Sequence, residues 1–416
     1  MFVLTGVWSA AASTPEPAAT PEQINGLAGV PLFSGEHMIW EEDADAVAKR
    51  LRLPRESLTT NDASYRIYPP EDATIFGRRA YSVAMSARGG KPTALSVIFA
   101  NKGDSVGQFA PSAPGRLPPR VPSSVLRDYR KAISEDEKAI TEALTSLIGA
   151  PRAQKLSQGS KLQEKALRWD WNGHAILLVS VRDEYAAVRI VPTTELDAPE
   201  GVERIKDRDL KGQLAERVER RPNGDVILRD LPMVDQGPKG FSVPATMERM
   251  LRYLGIPADM YMLAMAANTQ PGGGTTIRDV LWAVSDPVRR AGRKVVPETG
   301  RPDINRVAKW IESGLPILWA IATSDAVDSR INEHAAARTK VADWEEWSAS
   351  LKPARQNARK LARAGDQGHV CLIIGFNRET GELALSDSWG PGSAERWITI
   401  EEAAAISQGA MAVVSW

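Results

Sequence analysis

Apolar residues recur at helical spacing in segment 235–255, around which we consider the rest of the chain to be organised. Steps of three and four connect the members of one apolar face: Val243, Met247, Met250, Leu251 and Leu254. Gly255 follows them, where a helix C-terminus favours a residue able to take a positive φ. A loop rich in glycine and proline precedes the face, and Ser242 stands between loop and helix, in the N-cap position. The pattern therefore predicts a loop that passes into an amphipathic helix at Ser242.

A second pattern, near the C-terminus, predicts a β-hairpin with a histidine at its start. Residues 368–375 read GHVCLIIG, residues 377–381 form a turn, and residues 382–386 return as a strand that leads into Asp387. A hairpin of this shape can place Asp387 beside His369. The carboxylate would then hold one imidazole nitrogen and leave the other for a nucleophile.

The N-terminal half contains the pattern of a small α+β module over residues 24–108. A short helical pattern covers residues 44–53, and β-like runs cover residues 80–86 and 94–100. The sequence Arg88-Gly89-Gly90-Lys91 between the two runs is typical of a hairpin turn.

A second module, over residues 123–197, combines a long helix with a β-meander. An apolar stripe at helical spacing continues up to Gly149, and three β-like runs follow it. The pair Asn172-Gly173 is a strong signal for a tight hairpin turn between the first two runs. His174 comes directly after that turn, and we interpret it as a surface histidine at the start of a strand.

Other segments connect these units. Residues 1–23 are predicted to be a signal-like, disordered leader, residues 109–122 a stiff proline-rich linker, and residues 198–224 a charged connector with a solvated helix. In residues 225–416 helices come first and antiparallel strands follow, which predicts an α+β domain. Its further predicted elements are strands 226–228, 315–321, 396–400 and 410–414 and helices 276–284, 303–312, 344–364 (broken at Pro353) and 401–407.

Charge gives little support for a polyanionic partner. The 416 residues include 52 basic and 52 acidic side chains, with no long block of one sign. Nucleic acid and anionic membrane surfaces are therefore poor partner candidates. No stretch of apolar residues is long enough to predict a membrane span.

Cysteine and histidine usage argues against disulfides and metal centres. Cys371 is the only cysteine, so no intrachain disulfide can form, and its apolar surroundings predict a buried structural thiol. The four histidines are scattered without metal-ligand spacing. We expect neither a metal nor a cofactor.

The N-terminus suggests export from the cell. Residues 2–12 are apolar and end in small residues, like the end of a signal peptide, although the basic segment that normally begins one is missing. We therefore expect a periplasmic or extracellular protein.

Four positions in the C-terminal half resemble those of the papain-like cysteine peptidases, and more narrowly the bacteriocin-processing, double-glycine-peptidase-like family. That family has a glutamine, then a cysteine at a helix N-terminus, then a histidine on a strand, then Asp or Asn before Ser-Trp-Gly. The matching residues here are Gln236, Ser242, His369 and Asp387, and Gln236 lies six residues before Ser242, as in the family. The resemblance covers about residues 225–416.

The resemblance implies a papain-like fold and a peptide or protein substrate. Ser242 would occupy the nucleophile position, and His369 would act as general base and then acid. Asp387 would orient His369, and Gln236 would contribute to the oxyanion hole.

The chain departs from the family at the nucleophile, because Ser242 replaces the cysteine. A serine hydroxyl is far less acidic than a thiol, so we expect peptide hydrolysis to be weak or absent. Three interpretations stay open: a degenerate peptidase that still binds peptides, an active serine hydrolase on the same fold, and a cysteine-to-serine change made to trap a substrate. A different kind of alternative is a non-catalytic interaction protein whose N-terminal modules do the binding.

Overall fold

The structure, a computed structural model, describes residues 19–35, 37–106, 121–157, 160–197, 205–271 and 274–416. Most of the predicted leader, most of the proline-rich linker and the start of the charged connector lie outside the described residues.

The N-terminal half forms an eight-stranded antiparallel sheet with the spatial order β1-β2-β5-β6-β10-β9-β8-β7. With the separate β3-β4 pair, its strands are β1 (Arg55–Leu58), β2 (Asp62–Ile67), β3 (Thr74–Ile75), β4 (Arg78–Arg79), β5 (Ser82–Arg88), β6 (Lys91–Asn101), β7 (Arg152–Ser157), β8 (Gln163–Trp171), β9 (His174–Val181) and β10 (Tyr185–Pro192). Strand β6 pairs with β10, so segments 24–108 and 123–197, predicted as separate modules, share one continuous sheet. This pairing covers strand edges that either segment alone would leave exposed.

Helices lie against this sheet and at its ends: α1 (Pro21–Ala28), α2 (Ala44–Arg50), α3 (Lys102–Val106), α4 (Ser123–Ile148) and α5 (Thr193–Asp197). Helix α1 begins inside segment 1–23, so the prediction that this whole segment is disordered is wrong at its C-terminal end. The side chain of Thr20 caps the helix, Pro21 occupies its first turn, and Gln23 completes a capping box. These local signals outweigh the disorder-prone composition.

Both hairpin turns predicted in this half are present. Gly89 and Gly90 have φ values of 56° and 76°, and Asn172 and Gly173 have values of 42° and 72°. Positive φ at both central residues is what a type I′ turn requires, and the twist of this two-residue turn matches the twist of its strands.

His174 is not a surface residue, contrary to the prediction. Its side chain is fully buried, and its Nε2 accepts a hydrogen bond of 3.1 Å from the backbone N–H of Ile39. The rings of Phe33, Trp40 and Trp171 pack around it. Burial lowers the pKa of His174, which favours a neutral, structural imidazole.

The C-terminal half forms a second antiparallel sheet. Six strands follow the order β11-β12-β15-β14-β18-β13, and β16 pairs with both β15 and β17. The strands are β11 (Val218–Arg220), β12 (Asp225–Leu228), β13 (Lys294–Thr299), β14 (Ile317–Thr323), β15 (Gln367–Asn377), β16 (Glu382–Ser386), β17 (Arg396–Thr399) and β18 (Ser407–Ser415). Strands β15 and β16 are the two arms of the hairpin predicted from the sequence.

The helices of this half are α6 (Asp207–Glu216), α7 (Ser242–Tyr253), α8 (Met260–Ala266), α9 (Ile277–Arg290), α10 (Ile304–Ile311), α11 (Asp325–Arg338), α12 (Trp344–Ser350), α13 (Lys352–Ala364) and α14 (Ile400–Ile406). Helix α6 accounts for only part of the charged connector, because strand β11 follows it there. The predicted break in segment 344–364 falls at Leu351, and Pro353 lies in the first turn of α13.

The described residues form three apolar cores. One lies in each half, and a third combines side chains from both, such as Ile98 and Tyr185 of the first sheet with Phe241 and Tyr261 of the C-terminal half. The fold is therefore of the α+β class, with antiparallel sheets. Among the described helices, none is both long enough and apolar enough to cross a membrane.

Candidate active site

Helix α7 begins at Ser242, and Phe241 is its N-cap, so Ser242 is the first helical residue and does not occupy the predicted cap position. Phe241 is buried, and its backbone N–H donates to the carbonyl of Lys239 at 2.8 Å. Pro244, in the first turn, has no N–H to leave unpaired. The backbone N–H of Ser242 bonds to none of the described residues, so it is free to donate to a ligand.

His369 and Asp387 meet as the hairpin prediction requires. The Nε2 atom of His369 lies 2.7 Å from Oδ1 of Asp387, and both side chains are buried, with 5% of the His369 surface exposed. Within the described part of the chain, Nδ1 of His369 has no hydrogen-bond partner. The imidazole thus has one nitrogen held and one available, as a general base requires.

Arg396 completes the environment of Asp387. Its Nε donates to Oδ2 of Asp387 at 3.0 Å, and its Nη2 donates to the same oxygen. Burial raises the pKa of Asp387, but the hydrogen bond from His369 and the charge of Arg396 outweigh burial and hold that pKa below its usual value. Asp387 is therefore a carboxylate at neutral pH.

An aromatic ring restrains the orientation of His369. The indole of Trp389 stacks on the imidazole, with 4.4 Å between ring centroids and 25° between ring planes. Stacking on one face and a hydrogen bond at Nε2 together limit rotation of the imidazole.

The loop, helix α7 and the hairpin converge on Ser388, which follows Asp387. The Oγ1 atom of Thr246 in α7 lies 3.0 Å from the carbonyl oxygen of Val370 and 3.1 Å from Oγ of Ser388. The backbone N–H of Gln236 donates to the carbonyl of Ser388 at 2.8 Å. Ser242 lies about one helical turn before Thr246, so these bonds bring the four predicted residues into one region.

Neither the Ser242 hydroxyl nor the Gln236 amide makes the contact that catalysis would require of it. No hydrogen bond between Ser242 and His369 occurs in the described parts of the chain. The side-chain nitrogen of Gln236 donates to the carbonyl of Lys239 at 3.1 Å, and its Oε1 is buried with no described partner. An amide nitrogen has two N–H groups, so Gln236 retains one for an oxyanion.

Sequence reasoning missed three residues that support the site: Arg396, Thr246 and Arg249. Arg249 is buried in α7, and it donates to the carbonyl of Pro232 at 2.9 Å and to the backbone and side-chain oxygens of Ser386. Arg396 could have been found, because the antiparallel partner of the strand that ends before Asp387 begins with it. Thr246 and Arg249 lie in the amphipathic helix and carry no such signal.

Cys371 is a structural thiol, as predicted. Its side chain is fully buried, and its Sγ lies 3.9 Å from the carbonyl oxygen of Trp319. Burial raises the pKa of Cys371, which opposes formation of a thiolate. Within the described ranges, no group of three His, Cys, Asp or Glu side chains could hold a metal ion.

Neither models of protein families nor curated proteins gave a match to this chain. What supports a function is the geometry around His369 and Asp387, together with the order and spacing of Gln236, Ser242, His369 and Asp387.

Proposed function

We propose that residues 225–416 form a papain-like domain, similar to the double-glycine peptidases, that binds a peptide or protein segment at Ser242, His369 and Asp387. Serine at the nucleophile position makes hydrolysis weak or absent. The observation that carries the proposal is the 2.7 Å contact between His369 Nε2 and Asp387 Oδ1, which leaves Nδ1 of the same ring for a nucleophile.

The residues have distinct chemical roles in this proposal. The substrate carbonyl lies over Ser242, and its oxygen receives N–H groups from the Ser242 backbone and the Gln236 side chain. His369 removes the proton of the attacking side chain and later gives it to the leaving amine. Asp387 stabilises the imidazolium that forms in between.

Serine weakens the first step of this sequence. A thiol at a helix N-terminus ionises readily, whereas a hydroxyl must lose its proton to His369 during the attack. The Oγ atom of Ser242 makes no hydrogen bond to His369, so the hydroxyl is not prepared for that transfer. This observation favours peptide binding with little turnover over an efficient serine hydrolase.

The test is cleavage of a mixed peptide library by the parent protein and by the Ser242→Cys variant, each with and without His369→Ala. We expect the parent to be nearly silent and Ser242→Cys to cleave in a His369-dependent manner. His37→Ala is the matched control, because that side chain is largely exposed and far along the chain from the site. Cleavage that survives His369→Ala, or its absence in Ser242→Cys, would contradict the proposed chemistry.

A further inference from the structure

The segment that carries Gln236 is held by the N-terminal half of the chain. The hydroxyl of Tyr68 donates to the carbonyl of Asp235 at 2.6 Å, and the backbone N–H of Asp235 donates to Oε1 of Glu56 at 2.7 Å. Glu56 is itself fixed, because Arg66 donates to its carboxylate at 2.6 Å. The residue immediately before Gln236 is therefore fixed on both its N–H and its carbonyl.

Lys239 anchors the other side of the same segment. Its side chain is almost fully buried, and its Nζ lies 3.2 Å from Oδ1 of Asp104 in α3. The ammonium group also lies 4.4 Å from the ring centroid of Tyr68 and 5.3 Å from that of Tyr261. Burial lowers the pKa of Lys239 to about 8, while the charge of Asp104 opposes that shift.

The anchor and the amide of Gln236 are directly connected. The backbone carbonyl of Lys239 accepts the hydrogen bond from Gln236 Nε2, so movement of Lys239 changes where that amide points. Between them, Gly237 has a φ of 67°, and a side chain there would begin 2.5 Å from the ring of Tyr68. Gly237 thus packs directly against the ring of Tyr68, and only glycine permits that approach.

We infer that the N-terminal half assembles the oxyanion side of the site: Tyr68 and Asp104 are positioning residues that hold Asp235 and Lys239, and through them the Gln236 amide. The inference rests on the proposed function for its catalytic consequence. It assigns to the first sheet and α3 a part in the chemistry of residues 225–416. Without these contacts a segment with glycines at 237 and 240 would sample many conformations.

The first test compares Tyr68→Phe with Tyr65→Phe in the Ser242→Cys protein. The Tyr65 hydroxyl donates a similar hydrogen bond, of 2.7 Å, to Asp45, and its ring packs in the apolar core of the N-terminal half. Loss of one hydrogen bond that aligns the amide should lower kcat about three- to tenfold with KM little changed. Tyr65→Phe should leave kcat within about twofold. An equal fall in both variants would mean that Tyr68 has only a general structural role.

The second test asks whether Tyr68 acts through Gln236. In a Gln236→Ala background the Tyr68→Phe change should have little further effect on kcat, since the group that it positions is gone. If Tyr68→Phe lowers kcat by the same factor with and without Gln236, Tyr68 does not act through Gln236.

A third measurement does not depend on catalysis. Tyr68→Phe should speed amide hydrogen exchange at residues 235–237, and Tyr65→Phe should not. Unchanged exchange at these amides would overturn the positioning role, whatever the activity. Faster exchange together with no cleavage by any Ser242→Cys protein would instead support the positioning role of Tyr68 and contradict the proposed function.

Discussion

At the scale of single residues, the site depends on one carboxylate that serves two donors. Oδ1 of Asp387 faces His369, and Oδ2 faces Arg396. All three side chains are buried. If the Asp387 carboxylate were removed, His369 and Arg396 would each lose a hydrogen bond that water cannot replace. This arrangement explains why an aspartate fits here better than an amide.

Asp387→Asn tests that dependence. The amide oxygen can accept from His369 or from Arg396 but not from both. The amide N–H therefore faces the other donor, unless the proton of His369 moves to Nδ1, where it would block the general base. We expect the free energy of unfolding to fall by about 1–3 kcal/mol, measured by urea denaturation. Asp366→Asn, at an exposed carboxylate near the start of β15, should have almost no effect. Equal stability of the Asp387→Asn variant and the parent would show that the two donors do not need the carboxylate.

The residues of the site differ in how far the sequence predicts them. Ser242, His369 and Asp387 follow from local patterns: a loop-to-helix junction and a hairpin with a histidine at one end. His174 shows the limit, because its burial depends on Phe33, Ile39 and Trp40, which contact the sheet from far along the chain. Local sequence contains no information on which distant segment covers a strand end.

At the scale of elements, a hydroxyl joins the helix that carries Ser242 to the strand that carries His369. Thr246 in α7 bonds to the carbonyl of Val370 in β15. This bond, one turn after the start of the helix, therefore helps to fix the distance between Ser242 and the imidazole of His369.

Thr246→Val removes this contact and conserves the shape of the side chain. We expect the free energy of unfolding to fall by about 1–2 kcal/mol, because the carbonyl of Val370 loses its donor within the core. Thr145→Val is the matched control: Thr145 lies in α4 with a buried hydroxyl that has no partner in the described chain, so its removal should be neutral or stabilising. Equal effects in thermal or urea denaturation would contradict the role given to Thr246.

Elements with strong local signals can be predicted from the sequence, whereas mostly polar elements cannot. Helix α4 and the hairpins have long apolar patterns or turn residues that require positive φ. The edge strands β1 and β7 are mostly polar and give no alternation to detect. In α11 two of the four buried positions are His334 and Arg338, so its inner face does not look apolar.

At the scale of the whole molecule, the two halves form a shared core beside the site. Phe241, the residue before Ser242, packs against Gly103 of α3. The sequence could not predict this contact, nor the pairing of β6 with β10, because both join segments that are distant in the chain. The N-terminal half is consequently part of the surroundings of Ser242.

Gly103→Ala tests the close approach of the halves. A Cβ atom there would lie 2.7 Å from the ring of Phe241, so either the ring or α3 must move. We expect a loss of about 1–3 kcal/mol in the free energy of unfolding. Gly26→Ala is the control, since a Cβ at that position in α1 would meet nothing within 4 Å and should stabilise the helix slightly. Tolerance of both changes would show that the packing of the two halves is loose.

The most direct test of the site is the pH dependence of alkylation in the Ser242→Cys protein. The parent serves as the blank, because its only thiol, Cys371, is fully buried. If His369, Asp387 and the start of α7 form one site, iodoacetamide should react with the new thiol at half its maximal rate at least about one pH unit below the ~8.5 of a free cysteine. Adding His369→Ala should return that midpoint towards ~8.5. The same midpoint with and without His369 would contradict the account, because it would show that the imidazole and the nucleophile position do not interact.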